Sequence, residues 1–175
     1  MRKQAIIPYF KVKETEVYIS SGDLSQMPCD MLCVDINPID PLEGILSKQF
    51  SVKTNGQYLD MLTFPVAPNI ASVVLDRQVQ THNFKHVAFV FDHKKYAIGE
   101  LVHTALEDAE SRKCSVVILP LLRANAFYDA SDVAQGEQWL DFNMALFAYC
   151  ITEETAIKRV YIGVPKPDPV ETPQP

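Results

Sequence analysis

The chain has 175 residues, of which 47% are apolar and 22% charged, with a formal net charge of −6. This suffices for one folded domain with a sizeable core, and the acidic balance argues against a broad phosphate-tracking surface for nucleic acid, which needs clustered Lys and Arg. No stretch approaches the 18 or more unbroken apolar residues of a membrane span, and the apolar run in the start MRKQAIIPYF is too short for a signal peptide, so the expectation is a cytoplasmic protein.

In chain order, the segments 16–20 and 31–36 are short, rich in β-branched or otherwise apolar residues and bounded by polar or turn signals, and they are predicted strands. A helix is predicted from Pro41 to about Phe50: Asp40 can cap it, Pro41 suits its first position, and Glu43 follows Asp40 at the spacing of a capping box. The segment 51–69 is mixed and contains the turn signal Asn55-Gly56. Strands are predicted at 71–75 and 86–91, followed by an amphipathic helix over 96–112 whose stripe is Ile98, Leu101, Val102, Ala105, Leu106 and Ala109.

A strand at 115–119 and a helix over 132–151 come next, the helix with Ser131 as N-cap and Trp139, Phe142, Leu146, Tyr149 and Cys150 turned to a core. A last strand is predicted at 158–163. Residues 164–175 have proline at nearly every other position and are expected to be an extended, solvated tail outside a single domain spanning 1–163. Strands alternating with helices, several of them apolar at consecutive positions, indicate an α/β protein with a mostly parallel or mixed sheet covered on both faces.

Cys29, Cys33, Cys114 and Cys150 sit in strand-like or helical sequence without a C-x-x-C pair, as suits buried free thiols in a reducing compartment. His82 and His86 have helical spacing but no third ligand in view, so neither a metal nor a cofactor is expected. His103, on the polar side of its helix, suits a surface residue better than a base.

Ligands of open α/β sheets sit beyond the carboxyl ends of the strands. Three loops qualify: 20–24 after the first predicted strand, 37–40 after the second, and 120–127 after the strand at 115–119. Gly22-Asp23-Leu24, then Cys29-Asp-Met-Leu-Cys-Val-Asp-Ile-Asn37, then Val117-Ile-Leu-Pro-Leu-Leu-Arg-Ala-Asn-Ala-Phe127 resemble, in order and spacing, the macro domain signature G-D-I, V-D-A-I-V-N-A-A-N and P-A-I-S-T-G-x-F-G. The resemblance keeps Asp30, Asn37, Pro120 and Phe127 and runs from about residue 16 to 163. It implies a three-layer α/β/α fold with a mixed central sheet and a site for ADP-ribose or a related adenine nucleotide, free or on an ADP-ribosylated protein.

By that resemblance Asp23 would accept a hydrogen bond from the adenine amino group, with Gly22 and Leu24 beside it; the alternative is that Asp23 merely caps a local backbone amide. Asn37 would face the distal ribose, or else form an Asx turn before Pro38. The loop formed by Arg123, Ala124, Asn125, Ala126 and Phe127 would run along the phosphates, with Arg123 either a phosphate-binding fork or a charge that fills the cleft, and Phe127 either against a ribose or in the core.

Departures from the signature bear on both binding and catalysis. The first asparagine of the motif is Val34 here, and the family's run of three glycines shrinks to Gly44, which limits the approach of backbone amides to a diphosphate. Asp40 and Glu43 would put carboxylates at the helix N-terminus, where a phosphate would otherwise go. The aspartate of some family hydrolases falls at Leu46 or Ser47, which cannot do its acid–base work, leaving Asn37 and Lys48 as catalytic candidates. Three functions therefore stand: noncatalytic nucleotide recognition, ADP-ribosyl hydrolysis, and a scaffold or protein-interaction domain that has lost nucleotide binding.

Overall fold

A computed structural model describes residues 8–40, 44–53, 72–76, 83–124, 131–152 and 154–164. Its strands are β1 (Phe10–Val12), β2 (Thr15–Ser21), β3 (Cys29–Ile36), β4 (Ser72–Asp76), β5 (Phe84–Phe91), β6 (Val116–Pro120) and β7 (Arg159–Val164), and its helices α1 (Ile45–Lys53), α2 (Ile98–Ser111) and α3 (Asp132–Thr152). The strands form one seven-stranded sheet in the order β1-β2-β7-β6-β3-β5-β4. The five central strands are mutually parallel, and β1 and β4 close the two edges antiparallel, so the sheet is mixed.

Parallel neighbours need crossovers, and the crossover helices bury both faces of the sheet. On one face α2 and α3 pack over Met31, Cys33, Val117, Leu119, Val160 and Ile162; on the other, α1 covers Leu32, Val34, Ile36, Phe89 and Ile118. The alternation of odd and even residues of β3 between these two cores is the period-2 rule of a strand. Burying Phe142 or Leu146 of α3, both fully enclosed, contributes about 1.5–3 kcal/mol each.

The predicted strands and the two long helices match these elements to within one or two residues. The short edge strand β1 was not expected; Phe10 and Val12 turn inward while Lys11 faces out. The predicted helix at 41–50 is displaced: α1 begins at Ile45 and runs to Lys53, and Pro41, Leu42 and Glu43 lie outside the described residues. Gly44 stands in the cap position, its carbonyl accepting from the Lys48 N–H at 3.1 Å and from Ser47 Oγ at 2.6 Å. Ser131 does cap α3, its Oγ accepting from the Ala134 N–H. Among the described residues no helix is long and apolar enough to cross a membrane.

Candidate functional site

The parallel array brings the carboxyl ends of β2, β3, β6 and β7 to one rim. There Gly22 and Leu24 after β2, Asp35 of β3, Leu46 of α1, Pro120, Leu121 and Ala124 after β6, and Gly163 and Val164 of β7 line one cavity. It leaves about 10 Å³ for the centre of a water-sized molecule, room for about one water. Its floor is tight: a Cβ on Gly163 would overlap Leu24 Cδ1, so the absence of a side chain there is what lets Leu24 settle over the sheet.

Gly22 has φ 107°, a left-handed conformation that glycine adopts without strain and that turns the chain out of β2. Asp23 then caps the single 3-10 turn Leu24–Gln26: Oδ1 accepts from the Ser25 N–H at 3.1 Å and from Ser25 Oγ at 2.5 Å, and Oδ2 accepts from Gln26 Nε2 at 3.0 Å. Asn37 closes an Asx turn, Oδ1 accepting from the Ile39 N–H at 2.9 Å. Both residues thus have a local structural task.

The Arg123 guanidinium is held by partners within the chain. Its Nε donates to Asp92 Oδ2 at 2.6 Å and its Nη2 to Asp92 Oδ1 at 2.8 Å and to the Tyr96 carbonyl at 2.7 Å. The fork that would have served a phosphate is closed on a carboxylate at the end of β5. Burial disfavours the Asp92 charge, but Arg123 and the Lys94 N–H outweigh it and hold the carboxyl below its ordinary value. The Arg123 backbone sits at φ 58°, uncommon for a residue with a side chain, and Gln138 of α3 braces it by donating to the Leu122 and Arg123 carbonyls at 3.1 and 3.3 Å.

Ala124 is buried at the cavity wall, while Asn125, Ala126 and Phe127 lie outside the described residues. Lys48 is exposed on α1, and Leu46 and Ser47 beside it are buried. Asp40 is exposed, five residues ahead of the first residue of α1. The carboxylate that does reach the helix start is that of Asp35: a Cβ on Gly44 would lie 2.6 Å from Asp35 Oδ1 and 2.5 Å from Cγ, closer still to Oδ2. The Asp35 carboxyl therefore lies against the residue that precedes α1.

Asp35, Gln49 and Asp92 were missed as site residues. Gln49 ties α1 to the loop after β2, accepting from the Leu24 N–H at 3.3 Å and donating to the Gly22 carbonyl at 2.9 Å. The signal for Asp35 was in the register, a carboxylate where the macro signature has an alanine; Gln49 and Asp92 have no comparable mark, because their partners lie 25 to 31 residues away.

No protein-family model and no curated protein matches the chain in sequence. Solved structures do match in shape. A macrodomain of Oceanobacillus iheyensis with ADP superposes with a TM-score of 0.61 at 10% identity, over 91% of this chain and 87% of that one. The macrodomain of Thermus aquaticus DarG gives 0.54 at 14% identity, over 87% and 99%, and the macro domain of ganglioside induced differentiation associated protein 2 gives 0.58 at 12%, over 91% and 83%. With a mixed sheet, helices on both faces and a cavity at the parallel strand ends, the chain has the macrodomain fold.

Proposed function

We propose that the cleft at the ends of β2, β3, β6 and β7 recognises ADP-ribose or a related adenine nucleotide metabolite without turning it over. The observation that carries this reading is the convergence of Gly22, Leu24, Pro120 and Ala124 on one cavity at the carboxyl ends of parallel strands, the place where this architecture takes its ligands, in a fold shared with a macrodomain that holds ADP. Asp23 would meet the base, Asn37 a ribose, and the loop starting at Arg123 the phosphate edge. Hydrolysis is the weaker reading, since Leu46 and Ser47 supply no acid or base and Lys48 projects from α1 into solvent.

A second reading is favoured by a specific observation. The Asp35 carboxyl against Gly44 and a cavity that, among the described residues, has room for about one water suit a macrodomain-fold scaffold that has lost nucleotide binding. Calorimetric titration of ADP-ribose separates the two. Saturable binding that Asp23→Ala abolishes supports recognition; absence of heat at about millimolar ligand, a free energy weaker than about −4 kcal/mol, rejects it in favour of the scaffold.

A further inference from the structure

Helix α3 is apolar on two sides. Phe142, Leu146, Tyr149 and Cys150 enter the core, yet Val133, Leu140, Met144, Phe147 and Ile151 are 73%, 58%, 54%, 40% and 43% exposed. The exposed set is spaced 7, 4, 3 and 4 residues apart, the 3.5-residue repeat of a helix that pairs with another helix. It is one patch with the edge of the sheet: the Phe10 ring lies 6.3 Å from Phe147, and Tyr9, 49% exposed, accepts from Trp139 Nε1 at 3.3 Å.

We propose that this stripe is the contact surface for a second copy of the chain, with the two α3 helices antiparallel about a two-fold axis. Area and charge select that occupant. At their fractional exposures the five side chains leave roughly 500 Å² open, so two copies would bury roughly 1,000 Å² between them before Tyr9 is counted, about the minimum for a specific interface. Every charge on α3 is acidic and in its first half, Asp132, Glu137 and Asp141, while residues 142–152 carry none. A parallel pair would face these acids against one another; an antiparallel pair sets them over the neutral half of the other copy and opposes the helix dipoles.

The pairing needs no residue of the nucleotide cleft and stands whether or not that cleft binds.

Sedimentation equilibrium of the intact chain at roughly 100 μM, a concentration suited to a small interface, is expected to give twice the monomer mass. The Leu140→Gln/Met144→Gln variant, altered only at exposed positions, is expected to give the monomer mass with an unchanged far-UV circular dichroism spectrum. For direction, oxidised Val133→Cys/Ile151→Cys should form a covalent dimer where wild type and Val133→Cys alone do not, because residues 133 and 151 are about 27 Å apart along the helix. A wild-type chain that stays monomeric, a dimer that survives the double Gln variant, or cross-linking through Val133→Cys alone would overturn the proposal.

Discussion

Arg123 and Asp92 hold each other by two parallel hydrogen bonds of 2.6 and 2.8 Å, joining the turn after β6 to the end of β5. The pair is mostly shielded, with side chains 22% and 11% exposed, so deleting the carboxylate strands a guanidinium that retains only the Tyr96 carbonyl among its contacts described above. We expect Asp92→Ala to lower the unfolding free energy by about 2 kcal/mol, between the value of a surface pair and that of a fully buried one. Urea denaturation checks it. A loss no larger than a few tenths would mean that Arg123 finds water as easily as Asp92.

Acid should expose the same interaction. Asp92 and Asp30 are both held below their ordinary values: burial works against each charge, but Arg123 and the Lys94 N–H on Asp92, and Lys85 with the Ser115 and Val116 N–H groups on Asp30, win. A carboxyl depressed in the folded state stabilises the fold above its unfolded value of about 3.9 and loses that contribution as pH falls through the folded value. Stability should therefore drop below about pH 4, and Asp30→Asn or Asp92→Asn should each make the drop shallower. Stability measured from pH 6 down to pH 2 reads the slope, and an unchanged slope in both variants rejects the assignment.

Most of this fold could be read from the sequence because its strands are apolar runs and α2 carries a clean stripe, local signals that tertiary packing had no reason to override. Strand β1 escaped because its three residues, Phe10 to Val12, make a pattern only once they pair with Val17 to Thr15 across the Lys13 turn. Helix α1 was displaced because capping logic at Asp40 and Pro41 is local, whereas the observed start places Gly44 beneath Asp35, nine residues back in the sheet. The rim of the site was legible from strand ends alone. Its electrostatics were not: Arg123 was weighed as a free cation because nothing near it in sequence announces Asp92.

Gln49 offers a test of how the site is assembled. Its amide bridges Gly22 and Leu24 from α1, and removing it leaves a half-buried N–H and carbonyl without that partner. Gln49→Ala is expected to cost about 1–2 kcal/mol. Gln49→Glu should cost more than Ala, because the new carboxylate faces the Gly22 carbonyl with no hydrogen to donate. Thermal melts of the three proteins rank them, and Glu ranking above Ala would refute the bridge.

Thiol chemistry provides an independent check of the core. Burial pushes the Cys29 and Cys114 thiols up to about 12 and about 11, and raises Cys33 and Cys150 as well. Thiolate is the reactive form, so at pH 8 the native chain should react with an aromatic disulfide far more slowly than the chain in denaturant, where all four thiols should be modified. Rapid modification of any thiol in the native state would place it at an open surface.

Asp35 and Gly44 decide what the cleft can hold. A methyl group on Gly44 would drive into the Asp35 carboxyl, the end of a short side chain. Gly44→Ala alone should cost about 1–3 kcal/mol, but much less when Asp35 is already alanine, a coupling that a double-mutant cycle measures directly. The same substitution bears on the ligand. Removing the carboxyl beside Gly44 opens the start of α1 to an anion, so Asp35→Ala should bind ADP-ribose at least about tenfold tighter than wild type, a difference of about 1.4 kcal/mol. Adenosine, which lacks the diphosphate, should gain little. Equal gains for both ligands would show that Asp35 limits space rather than charge, and no gain for either would remove it from the site.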